Sequence, residues 1–468
     1  MTAQDAPRRI AWEVLVAVDT RAAYANLMLP ALLRSRGLSG RDAAFATDLT
    51  YTTLRWRGLA DAVVERAANR SIADVDVTAR NILRLAAASW LIGHTAAHAV
   101  VATAVDLARD AGADQRGRGF VNAVLRRVTE RARDEWLELL RGDEDAGKHL
   151  AVEYSHPQWM VDSLREALVM CGRNPADIAQ VLAADNEAVA PTLVARPGLC
   201  PVDELLAVEG TRRGSWAAAA VHLPGGDPGR IAAVREHRAG VQDEGSQLVA
   251  LIAAGIPVEG SDTHWLDACA GPGGKAALLG ALAAARGAQL TAVERQEHRV
   301  ELVTAAVEPL PNVDVRMADA TRLDEQSWYR DGMFDRVLVD VPCSGLGALR
   351  RRPDLRWHRQ QRDVAGLGST QEALFAAAVR AVRSGGIVAY STCSPHVAET
   401  VVATARAVRA LKATGLHCEQ VNLSTEIEGI AHIAGGALAA TMHGRASLQL
   451  WPDLHGTDAM FLSVWRRH

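Results

Sequence analysis

The chain has 468 residues, 49% of them hydrophobic, which is enough for two or three domains with proper cores and excludes a disordered composition. Six cysteines without a CxxC pair exclude a disulfide framework and give no zinc signature, so no metal is expected and reduced thiols in a cytoplasmic protein are. The net charge of −4 is unevenly spread: residues 1–141 hold 20 Arg and no Lys against 16 Asp and Glu, and the acidic excess lies in the remainder.

The first apolar run, in MTAQDAPRRIAWEVLVAVD, is interrupted by Glu13 and closed by Asp19, so neither a signal peptide nor a membrane span is expected. RRIAWEVLVAV, ANLMLPALLRSRG, DAAFATDLTYTTLRWRGLADAVVERA, ARNILRLAAASWLIG and HAVVATAVDLARDAG carry apolar residues at helical spacing. They predict an all-α domain over 1–140, with Gly37, Gly93 and Gly112 as stops. Arginine is dense in RGRGFVNAVLRRVTERAR (116–133), a pattern of a solvated face or of phosphate contact. The polar stretch RGDEDAGKH (141–149) reads as a linker.

From YSHPQWMVDSLREAL the pattern changes. Ser155 is expected to cap a helix that carries Pro157 early and runs to about Met170. PTLVARPG and WAAAAVHLPG read as short strands, so 150–240 is predicted to be a small α/β module.

Over 241–468 strands and helices alternate, which predicts a doubly wound sheet with ligands at the C-terminal strand edge. The first strand-to-helix turn is LDACAGPGGKA (266–276). A Walker A loop is excluded, because it needs glycine at Cys269 and Ser or Thr at Ala276. Gly271, Gly273 and Ala276 fit a dinucleotide fingerprint loosely, with Glu294 at the distance of a ribose-binding acid. Glu294, Asp319 and Asp340 end successive strands, and such a run of acceptors suits an adenosine carrying a cationic methionine better than a nicotinamide. S-adenosylmethionine is therefore the expected cofactor.

Two apolar strands end in cysteine, VLVDVPCSG (337–345) and YSTCSPH (390–396). A buried thiol is the ordinary reading of either alone. Ser394 and Pro395 suit a helix start, which would favour thiolate at Cys393, whereas a free cysteine has a pKa of about 8.5. Local residues do not choose between Cys343 and Cys393. RRRPDLRWHRQQR (350–362) follows the first cysteine and is a second dense run of arginine.

DACAGPGGK, DVPCSGLGALRRRPDLRW and YSTCS resemble the RNA 5-methylcytosine methyltransferases of the Nol1/Nop2/Sun family. VQDEGSQLVA and LWPDLHGTDAMFLSVWRR are similar to its bacterial RsmB, or Sun, branch, and FATDLTYTTLRW and GFVNAVLRRV resemble the NusB-type helical domain of that branch. The resemblance implies a Rossmann-like methyltransferase sheet over 241–468, preceded by a NusB-like RNA-binding domain (1–140) and a small RNA-recognition-like module (150–240). It implies that Cys393 is the nucleophile and Cys343 assists release, because adding a thiolate to carbon-6 of cytosine makes carbon-5 nucleophilic and the adduct must later be resolved. It places Cys269, Ala270, Gly271, Pro272, Gly273, Gly274, Lys275, Glu294, Asp319 and Asp340 on S-adenosylmethionine, with Asp340 and Lys275 also at the base. Gly271, Ala276 and Val341 stand where the family has Ala, Thr and Ala, so a looser loop and a tighter base pocket are expected. Beside such a site Arg350, Arg351, Arg352, Arg356 and Arg359 are expected to meet RNA phosphates, and Phe120 and Asn122 lie on a second candidate RNA surface. The implied substrate is 16S ribosomal RNA, met by a monomer. Alternatives are a transfer RNA methyltransferase and a non-catalytic NusB-like RNA adapter.

Overall fold

A computed structural model describes residues 6–93, 95–142 and 146–468, so part of the expected linker, 143–145, lies outside the described residues. Two compact units are present. The helical unit comprises the chain up to Asp162 together with Ile178–Glu187 and Leu349–Arg359; the sheet unit comprises Ser163–Asp177, Ala188–Ala348 and Gln360–His468.

In the helical unit the expected amphipathic segments form helices at Ala6–Arg21, Ala25–Ser35, Val77–Leu91 and Ala97–Asp110, burying faces such as Ile10, Val14, Val18, Ile82 and Leu107. Gly37 and Gly112 follow their helices in the left-handed region, at φ 66° and 86°. The long segment after Asp42 is broken into Gly40–Arg55 and Arg57–Ala68 at Trp56, with φ −105° and ψ 17°. The break is held from a distance: the Ser155 hydroxyl accepts from Gly58 N at 2.6 Å and Leu59 N at 3.3 Å, satisfying first-turn donors of the second helix. Ser155, at φ 58°, therefore does not cap its own following helix, which starts at Gln158. Asp19 collects Arg57, Arg80 and Arg84 at 2.8, 2.7 and 3.1 Å. Burial opposes the Asp19 charge, yet those arginines and Asn81 hold its carboxyl well below the ordinary range.

The sheet unit holds twelve strands. β1 Thr192–Ala195, β2 Arg212–Arg213, β3 Ala220–His222 and β4 Ala239–Val241 form a small antiparallel sheet in the order β2-β3-β1-β4. β5 His264–Asp267, β6 Gln289–Glu294, β7 Val313–Met317, β8 Phe334–Asp340 and β9 Val382–Thr392 are parallel neighbours in the order β9-β8-β5-β6-β7. β10 Cys418–Gln420, β11 Leu448–Gln449 and β12 Phe461–Arg467 complete the sheet, with β12 antiparallel to β9. β8 and β9 are near-continuous apolar runs because helices cover both faces: Gln361–Ala381 buries Leu374, Phe375 and Ala378 on one side, and Glu244–Gly255 buries Leu248 and Ile252 on the other. The expected doubly wound α/β fold is present. No described helix is long and apolar enough to cross a membrane.

Candidate active site

Crossovers from β5 run one way to β6 and β7 and the other way to β8 and β9, so the crevice beyond the C-terminal ends of β5 and β8 is a switch point, where such sheets take ligands. Asp267, Glu294 and Asp340 end β5, β6 and β8; Asp319 follows β7, and Cys393 follows β9. The spread-out sequence candidates thus share one edge.

The glycine turn is shaped by close approach. Gly273 has φ 109°, and a Cβ there would lie 2.7 Å from the Ala306 side chain. At Gly271 a Cβ would come within 2.2 Å of Glu294 Oε2 and 2.8 Å of Arg299 Nε. Arg299 donates to the Gly271 carbonyl and lies 3.6 Å from Glu294 Oε2. Glycine at this position therefore goes with a tethered loop, in place of the looser one expected. Glu294 Oε1 accepts from the amides of Arg295 and Gln296 at 2.8 and 2.9 Å. Asp319 Oδ1 accepts from the Thr321 amide and hydroxyl at 2.9 and 2.7 Å.

Asp267 is buried; its Oδ1 accepts from Cys269 N at 3.2 Å, and its Oδ2 has no hydrogen-bond partner. Burial, reinforced by the Asp340 charge, pushes its carboxyl up to about 7. An orphaned buried acceptor beside the glycine turn, with further acceptors on β6 and after β7, fits a cationic adenosine cofactor. Sequence reasoning did not single out Asp267, because one acid ending a strand is commonplace.

Lys275 Nζ donates to Asp340 Oδ2 at 2.7 Å, and the Ser391 hydroxyl donates to Asp340 Oδ1 at 2.7 Å. Burial alone would lower the Lys275 pKa; the charges of Asp340 and Cys393 outweigh it and raise it. The two thiols meet, with Cys343 Sγ 3.2 Å from Cys393 Sγ. The hydrogen bond with Cys393, then burial, then the charges of Cys393 and Glu399 push the Cys343 thiol well above its ordinary value. The pair is electrostatically unequal: an ammonium acts on Cys393 and a carboxylate on Cys343.

The expected helix start beside Cys393 is not there. Ser394 Oγ accepts from His396 N at 3.2 Å, a 3-10 turn covers Val397–Glu399, and the α-helix begins only at Val401. Lys275, rather than a helix N-terminus, supplies the positive charge near Cys393. A buried carboxylate, Glu399, lies behind both cysteine loops, and nothing in the local sequence marks it.

The arginines after Cys343 divide. Arg356 is 1% exposed; it donates to the carbonyls of Arg55, Ser155 and Asp185 and to Asn186 Oδ1 at 2.8, 3.2, 2.9 and 2.7 Å. The expectation that Arg356 meets a phosphate is corrected by this geometry: its guanidinium is spent inside the helical unit. Arg350 is buried too, Arg352 lies over the Tyr24 ring at 4.8 Å, Arg359 is half-buried and Arg351 is exposed. Phe120 packs on the helical core under Arg70, and Asn122 is half-buried. Among the described residues no cluster of His, Cys, Asp and Glu could hold a metal ion.

Residues 257–466 match the family described as 16S rRNA methyltransferase RsmB/F, and residues 5–130 match the NusB family. The chain is 47% identical over 466 residues to "Putative methyltransferase Rv1407" of Mycobacterium tuberculosis, covering 99% of this chain and 97% of that protein. It is 31% identical to the ribosomal RNA small subunit methyltransferase B of Xylella fastidiosa, covering 84% of this chain and 86% of that one. Among solved structures PH0851 superposes with a TM-score of 0.76 at 18% identity over 98% of each chain. NSun6 from Pyrococcus horikoshii, solved with SFG, superposes with a TM-score of 0.51 at 17% identity, over 65% of this chain and 97% of that one. Those two share the fold. Sequence identity along nearly its whole length, on a methyltransferase sheet with a NusB-type helical region ahead of it, makes this chain a member of the RsmB/F family of S-adenosylmethionine-dependent methyltransferases.

Proposed function

We propose that the protein methylates carbon-5 of a cytidine in 16S ribosomal RNA through a covalent adduct on Cys393. The observation that carries this reading is the 3.2 Å approach of Cys343 to Cys393, with the Lys275–Asp340 pair acting on one of them. A buried structural cysteine needs neither a second thiol nor an ammonium.

Cys269 through Lys275, Glu294, Asp319 and Asp340 would hold the cofactor, and Asp267 would offer its unpartnered oxygen. When bound, S-adenosylmethionine supplies an electrophilic methyl group for carbon-5. The chain's own work is to make carbon-5 a nucleophile and to undo what that required. Cys393 adds to carbon-6 as the nucleophile, with the Lys275 ammonium as the positive charge acting beside it. Asp340 and Lys275 orient the base. Resolution needs a proton acceptor at carbon-5, and Cys343 at rest holds its proton most tightly because of its bond to Cys393. Once Cys393 is a thioether that influence is gone, and Cys343 can release its proton to solvent. As thiolate it then takes the carbon-5 proton; the carbon-5–carbon-6 double bond re-forms, and Cys393 leaves as thiolate.

The helical region (1–140) and the small sheet module (150–240) bind RNA in this reading, and 241–468 carries the chemistry. Arg351 and Arg352 are its phosphate contacts. Replacing Cys393 with Ala removes the adduct, so methylation and any protein–RNA crosslink should be lost. Cys343→Ala should transfer methyl and fail to release, accumulating a shifted band on a denaturing gel. Trapping in Cys393→Ala alone would reverse the two roles; intact methylation in both would make the thiols structural. Bisulfite sequencing of cells with and without the gene separates the substrates. A single lost 16S site supports this reading, and a lost transfer RNA site with intact 16S sinks it.

A further inference from the structure

The loops that carry the two thiols are joined from behind by one buried carboxylate. Glu399, 0% exposed, accepts from Ser344 N at 2.8 Å and Gln371 Nε2 at 3.2 Å through Oε1, and from the Ser344 hydroxyl at 2.5 Å through Oε2. Ser344 Oγ in turn meets Ser394 Oγ at 3.1 Å. Ser344 and Ser394 are the residues next to Cys343 and Cys393, so each thiol is one peptide away from this network. Gln371, from the helix Gln361–Ala381, also donates to the Pro342 carbonyl at 2.9 Å, and the Tyr390 hydroxyl donates to the Glu399 carbonyl at 2.7 Å. A second tie is pure backbone: Gly347 N donates to the Cys393 carbonyl at 2.9 Å.

These donors are neutral, and no cation is among them. A carboxylate held in a protein interior by neutral donors is costly compared with a glutamine of the same shape. A purely architectural link between two loops would have no need of the charge. We propose that Glu399 is a positioning residue for the two-thiol chemistry: it locks the Pro342–Ser344 loop to the Thr392–Ser394 loop and directs its charge at Cys343. The proposal rests on the assignment of Cys393 as nucleophile and Cys343 as the group that resolves the adduct.

The charge has a definite consequence. The groups facing Cys343 are Tyr390 and Thr392 of β9, Cys393 just after that strand and Glu399 from the turn beyond it; His396 faces Glu399, while Lys275 and Asp340 act on each other and Lys275 on Cys393. Of these, Glu399 contributes a carboxylate charge that acts on the thiol, and an anion beside a thiol favours the protonated form. Cys343 is thereby kept from competing as a nucleophile, and once ionised it is a stronger base toward carbon-5. The network makes two similar cysteines unequal.

Glu399→Gln keeps the shape and the acceptor for Ser344 N and removes the charge; Ser344→Ala keeps the charge and cuts the hydroxyl ties. In the full-length protein, iodoacetamide labelling across pH, read peptide by peptide by mass spectrometry, reports the thiolate of each cysteine without RNA. In Glu399→Gln the Cys343 labelling profile should move at least one unit to lower pH, with S-adenosylmethionine affinity within threefold of the parent as the control for folding. With a 16S rRNA transcript, kcat should fall at least tenfold in both variants while KM for RNA stays within threefold, and Glu399→Gln should accumulate the covalent complex seen with Cys343→Ala. An unshifted Cys343 profile in Glu399→Gln, or a kcat within twofold of the parent in both variants, would overturn the proposal. Failure of the underlying thiol assignment looks different: Cys343→Ala itself would trap nothing, whereas the labelling profile would still report on Glu399.

Discussion

Arg356 and Arg351 lie in one basic run, and the structure buries the first and exposes the second. Removing the Arg356 guanidinium as Arg356→Met leaves four acceptors, on Arg55, Ser155, Asp185 and Asn186, without their donor. A buried group left unsatisfied costs about 1–3 kcal/mol, and water entering the space recovers part of it. Four such neutral acceptors, discounted for that water, make about 3–5 kcal/mol the expected loss. Burial already pushes Arg356 down to about 9, so it remains the cation at neutral pH and no loss of charge softens the effect. Because the chain has two compact units, a single unfolding midpoint would mix them, and local opening is the better measure. Hydrogen exchange of the amides in Arg57–Ala68 should lose protection by roughly two to three and a half orders of magnitude, at about 1.4 kcal/mol per tenfold. Arg351→Gln should leave that protection unchanged and flatten the dependence of log RNA affinity on log salt by about 0.7–0.9, the slope of one phosphate contact. If Arg356→Met keeps its protection within threefold and instead loses salt slope, the inward placement of Arg356 does not describe its role.

Two further outcomes follow from the glycine turn and its acids. Gly271→Ala should weaken S-adenosylmethionine binding about tenfold by calorimetry, since the new Cβ must displace Glu294 or Arg299, and adding Arg299→Ala should restore part of it; an unchanged affinity would refute the contact. Asp267 rises from 3.8 to about 7 on folding, so between those values the folded state holds the extra proton and apoprotein stability should fall as pH rises from about 4 to 7. A cationic ligand favours the carboxylate, so cofactor affinity should rise from pH 6 to 8 and flatten in Asp267→Asn; a parallel pH profile in that variant would remove Asp267 from the site.

Periodicity is local, and what depends on it was legible along the chain. Alternating apolar runs and helical stretches announced the doubly wound sheet, and the helical register of residues 6–110 announced the all-α region. Chemistry tied to strand ends was legible for the same reason: Glu294, Asp319, Asp340, Cys343 and Cys393 each end or follow a strand, so a correct strand order puts them on one edge. What escaped the sequence depended on partners far along it. Ser155 looks like a cap for its own helix and serves Gly58 and Leu59 instead. An arginine run after a cysteine reads as surface, yet Arg356 is buried because Leu349–Arg359 folds into the helical unit. Cys393 looks placed for a helix N-terminus, but the charge that acts on it comes from Lys275 and the one on Cys343 from Glu399. Residue type and spacing determined which groups reach the C-terminal edge of the sheet. Burial, hydrogen-bond satisfaction and the sign of the nearest charge arise only when distant segments pack, so the tertiary structure alone decided how each thiol is poised.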